Sequence, residues 1–133
     1  MARVLIIEDE ADLRLLYRLE LELEGYEIIA VGSGNEGLEV LAREEIDAVV
    51  LEFLLPHLGG LQLMDDILSR QRYLPIIINT GYDQLRYDFH CWGAEAFVVK
   101  SSDLAELKGA LAQAIAAAKA RPCQLWTIPS RIA

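Results

Sequence analysis

Five short apolar runs recur along this chain, at residues 4–7, 27–31, 48–53, 75–79 and 96–99, and several of them do not alternate with polar residues. A strand with one wet face alternates apolar and polar side chains. A strand covered on both faces reads as a continuous apolar run, as parallel strands between helical layers require. Between the runs lie helical patterns. The first carries Leu13, Leu16, Tyr17 and Leu21 and stops at Gly25, a C-terminal glycine. The second opens with Ser33-Gly34-Asn35-Glu36, a capping-box pattern, and buries Leu38 and Leu41. The third carries Leu61, Met64, Ile67 and Leu68, and a fourth covers about residues 83–92 before Gly93. The last opens at Asp103, with Glu106 three residues on, and repeats Leu104, Leu107, Leu111, Ile115 and Ala118 at helical spacing. Five β-α units in series predict an α/β domain built on a five-stranded parallel sheet. This pattern alone leaves the strand order open.

The 133 residues suit one domain, and 53% apolar content supplies its core. The pattern ends after Ala120, so a domain at 1–120 is followed by a tail or truncated linker at 121–133. A net charge of −9 repels phosphate backbones, which argues against direct nucleic-acid binding and favours cations and basic protein surfaces as partners. No apolar run is long enough to span a bilayer, and the start lacks the features of a secretory signal, so no membrane association and a cytoplasmic location are expected. Cys91, in a helical stretch, and Cys123, in the tail, are expected to be two free thiols.

In such sheets ligands sit outside the carboxyl ends of the strands. The first run ends in Glu8-Asp9-Glu10, the third near Glu52, the fourth in Thr80-Gly81 and the fifth in Lys100-Ser101. Carboxylates at Glu8, Asp9 and Glu52 suit a hard divalent cation such as Mg²⁺. Without a counter-charge they repel: two unit charges about 5 Å apart at an effective dielectric of 20 interact by roughly 3 kcal/mol. A metal, a proton or the Lys100 ammonium must offset that. Thr80 has a hydroxyl to offer an oxyanion. Taken singly, each residue has an ordinary explanation: acids favour a helix N-terminus, a lysine is usually solvated, and threonine before glycine is turn chemistry. Their joint placement at successive strand ends is what points to a site. His57, in the loop after the third run, reads as an exposed loop residue.

These segments resemble the receiver domain of bacterial two-component response regulators. VLIIEDE at 4–10 is similar to the receiver opening with its Mg²⁺-binding acidic pair. DAVVLEFLLPHLGGLQL at 47–63 resembles the segment holding the phosphoacceptor, with Pro56 and Gly60 at family spacing. PIIINTGYD at 75–83 resembles the segment with the switch Ser/Thr, here Thr80. GAEAFVVKS at 93–101 resembles the segment with the switch aromatic and the lysine, here Phe97 and Lys100. The match covers about residues 3–120. It implies a flavodoxin-like sheet in order 2-1-3-4-5 with helices on both faces. It also implies a non-enzymatic phosphorelay module that takes a phosphoryl group from a histidine kinase or phosphotransfer protein. Its helix 4–strand 5–helix 5 face would then meet a downstream protein or a second copy.

Three residues depart from that pattern. Glu52 stands where the family has its phosphoacceptor aspartate. The extra methylene carries the carboxylate roughly 1 Å deeper, and an alignment error of about 1 Å can cost on the order of 100-fold in phosphoryl transfer. Phosphorylation is therefore expected to be slow or absent. The longer side chain is expected instead to engage Thr80 or Lys100 and partly mimic a phosphoryl group. Ser101 replaces the usual proline after the lysine, which predicts a trans bond there and a differently aimed Lys100. Gly59 replaces a frequent aspartate and makes the loop more permissive.

Alternatives of other kinds are a phosphorylation-competent receiver using Glu52 or another carboxylate, and a Mg²⁺-dependent phosphatase with Asp9 as nucleophile. A flavin-binding domain is disfavoured, because Glu8-Asp9-Glu10 would repel the flavin phosphate. Leu15, Leu19 and Leu23 make a second stripe on the first helix, either part of a broad buried face or a docking ridge for a kinase or phosphotransfer helix. Tyr82, Tyr87, Phe89 and Trp92 enrich the fourth helix in aromatics.

Overall fold

The computed structural model describes residues 1–88 and 92–121. Strands β1 (Arg3–Ile7), β2 (Glu27–Val31), β3 (Ala48–Leu51), β4 (Ile76–Thr80) and β5 (Ala96–Val99) alternate with helices α1 (Ala11–Leu23), α2 (Gly34–Arg43), α3 (Gly60–Arg70) and α4 (Ala105–Lys119). All paired strands are parallel, in order β2-β1-β3-β4-β5. This is the doubly wound arrangement that the resemblance implies.

Side chains along each strand point alternately to the two faces, and each face has its own core. Val4, Ile6, Val50, Ile77 and Val98 pack with Tyr17 and Leu21 of α1 and Leu107 and Leu111 of α4. Leu5, Ile7, Val49, Leu51, Ile76 and Ile78 pack with Val40 and Leu41 of α2 and Leu63, Met64 and Ile67 of α3. Both residues of each neighbouring pair are therefore buried, which is why the runs do not alternate. Each fully buried aliphatic side chain contributes about 1.5–3 kcal/mol.

Local signals set the helix ends. The Ser33 hydroxyl accepts from the Glu36 amide, and the Glu36 carboxylate reaches back to Gly32 N and Ser33 Oγ. Gly25, just past α1, has φ +98°, a conformation that favours glycine. Asp103 caps locally by accepting from Ala105 N, so α4 starts two residues later than the sequence pattern predicts.

Other expectations need correcting. Leu16 and Leu61 were expected in the core but are exposed. The inward stripe of α1 is Leu13-Tyr17-Leu21, with Leu16 on its flank. Leu61 lies in the first turn of α3, on the rim of a surface depression, and Leu63 enters the core instead. Leu15, Leu19 and Leu23 stay in solvent, so α1 has a leucine ridge rather than a broad buried face. Within the stretch expected as a fourth helix, Asp83–Asp88 form a 3₁₀ helix, led in by a tight turn from Tyr82 O to Leu85 N. Residues 89–91, with Phe89 and Cys91, lie outside the described residues, as does 122–133, with Cys123. No described helix is long and apolar enough to cross a membrane.

Candidate functional site

The register of the sheet brings the polar strand ends together. Ile7 of β1 pairs with Leu51 of β3, so Glu8 and Glu52 leave adjacent strands at the same level. The Glu52 amide donates to Ile7 O at 3.0 Å. On the other side Thr80 pairs with Val99, and the Lys100 amide donates to Thr80 O at 2.8 Å. With β1, β3, β4 and β5 side by side, residues 8, 52, 80 and 100 share one edge.

There Lys100 bridges two carboxylates. Its Nζ lies 2.7 Å from Glu8 Oε1 and 2.6 Å from Glu52 Oε1. The side chains are 16% (Lys100), 2% (Glu8) and 7% (Glu52) exposed, so these are buried pairs. The other oxygen of each carboxylate takes a backbone amide: Glu10 N donates to Glu8 Oε2 at 3.1 Å, and Leu54 N to Glu52 Oε2 at 2.9 Å. The Arg14 guanidinium adds a bond to Glu8 O at 2.7 Å.

This environment sets the protonation balance. Burial raises the Glu8 pKa, and the contact with Lys100 only partly opposes it. Burial pulls Lys100 downward, but bonds and charge from Glu52 and Glu8 outweigh that and hold its ammonium above the ordinary lysine range. One ammonium between two carboxylates leaves an acidic excess, for which the backbone amides compensate in part.

The remaining expected residues divide. Thr80 is fully buried at the same edge, but its hydroxyl has no hydrogen-bond partner among the described residues. Glu52 thus engages Lys100 and not Thr80. Phe97 is buried, with the Arg86 guanidinium 5.7 Å from its ring centroid. Asp9 is exposed, on the rim of the depression lined by Leu54, Pro56 and Leu61. Among the described residues no group of three or more His, Cys, Asp or Glu side chains is placed to hold a metal ion. Of the three expected carboxylates, Glu8 and Glu52 come together on the Lys100 ammonium, while Asp9 is exposed. No described peptide bond is cis, so the bond after Lys100 is trans as expected, yet Lys100 still points into the site. His57 is an exposed loop residue, as expected, with φ +73°.

Sequence reasoning missed one neighbour. Phe53, directly after Glu52, stacks on Trp92 with centroids 4.4 Å apart and planes 12° apart. Gly60 permits this, since any side chain there would strike the Phe53 ring and carbonyl. The only available signal was an aromatic beside the acid.

The response regulator receiver domain family matches residues 4–112. This chain belongs to that family. It is 36% identical over 112 residues to the response regulator ArlR of Staphylococcus saprophyticus, covering 80% of this chain and 49% of ArlR. It is 34% identical over 107 residues to the transcriptional activator PfeR of Pseudomonas aeruginosa, covering 79% of this chain and 35% of PfeR. The receiver thus spans about half or less of those relatives. Among solved structures, the response regulator TrrA of Thermotoga maritima in complex with Mg²⁺-BeF is 34% identical, with TM-score 0.81 over 86% of this receiver and 99% of TrrA. TrrA is also known in complex with the histidine kinase ThkA (34% identity, TM-score 0.79, 86% and 98% covered).

Proposed function

We propose that this receiver is a two-component signalling module in which Glu52 occupies the phosphoacceptor position and blocks or partly replaces phosphorylation. The observation that carries this reading is the 2.6 Å contact between Lys100 Nζ and Glu52 Oε1. The glutamate already holds the lysine that would otherwise meet a phosphoryl oxygen. The mimicry is partial, because the Thr80 hydroxyl stays without a partner. Phe97, already buried, supports an aromatic set inward without phosphorylation.

The TrrA complexes support a histidine kinase or phosphotransfer protein as partner, and Mg²⁺ as a family ligand. The α1 ridge of Leu15, Leu19 and Leu23 suits an apolar helix of such a partner. A downstream protein, or a second copy, would meet the surface formed by the 3₁₀ helix, β5 and α4, where Tyr82 is exposed. For Mg²⁺ the donor chemistry of Glu8, Asp9 and Glu52 is right but their arrangement does not fit. A dication would have to displace the ammonium from two buried carboxylates, so binding is weakened.

The test is intact-mass spectrometry after incubation with acetyl phosphate and Mg²⁺, beside Glu52→Asp. The expected result is one phosphoryl group on the variant and none on the native chain. Phosphorylation of the native chain would return it to an ordinary phosphorelay role, with Glu52 or another carboxylate as acceptor.

A further inference from the structure

A depression of about 620 Å³ lies between the loop after β3 and the first turn of α3. Its open walls are Leu54 and Leu61, 47% and 49% exposed, with the exposed Pro56 beside them. Two glycines shape it. Gly60 lets the start of α3 close onto Phe53, where any side chain would strike the ring and carbonyl. At Gly59 an added Cβ would meet nothing within 4 Å, so that side stays open. The wall is also tied to the acidic site, because the Leu54 amide donates to Glu52 Oε2 at 2.9 Å.

The charge around this apolar surface has one sign. Asp9 is the single charged group among the described lining residues. It is exposed, and its carboxylate forms no ion pair among the described residues. Glu8 and Glu52 at the neighbouring strand ends share one ammonium and leave a further acidic excess. The start of α3 offers only about half a positive charge against these. An occupant must therefore bring a cation beside its apolar group. The half-exposed walls also leave the depression open, whereas a small-molecule site encloses about 70–90% of its ligand.

We propose that this depression docks a segment of a partner protein that presents a bulky apolar side chain next to an arginine or lysine. The proposal rests on the reading of this domain as a signalling module acting through protein contacts. It names a surface other than the α1 ridge and the face formed by the 3₁₀ helix, β5 and α4. A segment seated there would lie against Leu54, whose amide holds Glu52, and would thus cover one approach to the acidic site.

The probes are three short acetylated peptides, alternating leucine with arginine, leucine with glutamate, and alanine with arginine. Each is titrated into the isotope-labelled full chain while backbone amide shifts are followed by NMR. The leucine–arginine peptide should shift the amides of Leu54, Gly59, Gly60 and Leu61 saturably and bind several-fold more tightly than either control. Leu54→Ser with Leu61→Ser, both at half-exposed positions, should weaken it about tenfold while the far-UV circular dichroism is kept. Asp9→Lys should shift the preference toward the leucine–glutamate peptide. Acetyl phosphate labelling decides the phosphorylation reading separately, so failure here leaves that reading standing. Equal binding of all three peptides overturns the proposal, as does binding that the double serine variant leaves unchanged. Saturable shifts confined to Leu15, Leu19 and Leu23 would seat the segment on α1 and also overturn it. So would n-hexylammonium binding as tightly as the peptide, which would make this a small-molecule site.

Discussion

Lys100 and Glu52, brought together from the ends of β5 and β3, form a buried ion pair of 2.6 Å that also includes Glu8. Two carboxylates on adjacent parallel strands cannot stay ionised in a largely dry edge without a counter-charge, and in this receiver the counter-charge is covalently part of the fold. Consequences for stability, pH response and ligand binding follow from that arrangement.

Removing the ammonium should be costly. Lys100→Met leaves Glu8 and Glu52 facing each other without compensation, and breaking a buried pair in this way costs about 3–5 kcal/mol. Urea unfolding should show a lower midpoint at an unchanged slope. Adding Glu52→Gln to Lys100→Met should recover part of the loss. A single variant within about 0.5 kcal/mol of the native chain would mean the pair adds nothing to the fold.

Stability should fall in alkali. Lys100 has a raised pKa in the folded state, so its contribution is fully present below the unfolded lysine value of about 10.4 and is lost as pH rises through the folded value. Glu8 works in the same sense, in a lower pH range. Its raised pKa means that the folded state binds a proton more readily than the unfolded chain, so this group favours folding more as pH drops from neutral toward its ordinary range. Thermal melts across alkaline pH should decline for the native chain, and the decline should be shallower in Lys100→Met. Equal slopes would show that Lys100 is not the group responsible.

The unpartnered Thr80 hydroxyl should be dispensable for folding. A buried polar group without a hydrogen bond costs about 1–3 kcal/mol of desolvation. Thr80→Val keeps the shape and removes that burden, so stability should hold or rise by about 1 kcal/mol. A marked loss on chemical denaturation would reveal a partner for the hydroxyl.

Mg²⁺ should bind poorly to the native chain and better to Glu52→Asp. Aspartate reaches less far toward Lys100, which frees its carboxylate for a hard cation at the strand edge. Isothermal calorimetry with MgCl₂ is the direct comparison. Equal affinities would show that the ammonium does not compete with the cation.

Rupturing the aromatic stack should be felt beside the site. A double-mutant cycle of Phe53→Leu and Trp92→Leu should give a coupling of about 0.5–1.5 kcal/mol beyond lost area. A coupling near zero would make the stack incidental to stability.

Much of this receiver was legible in its sequence. Continuous runs such as 4–7 and 76–78 declared strands covered on both faces, and the Ser33–Glu36 spacing marked the start of α2, because these signals are local and periodic. The placement of Glu8, Glu52, Thr80 and Lys100 at strand ends was equally plain. Family resemblance, not periodicity, supplied the strand order. Tertiary structure alone decided which groups met. Lys100 chose the two glutamates over solvent, Thr80 was left without a partner, Asp9 turned outward, and Leu16 and Leu61 stayed at the surface while Leu63 went in. A sequence pattern fixes the period of burial along one element. The register between strands, and the competition among charges for a few ångströms of shared space, exist only once the sheet is assembled.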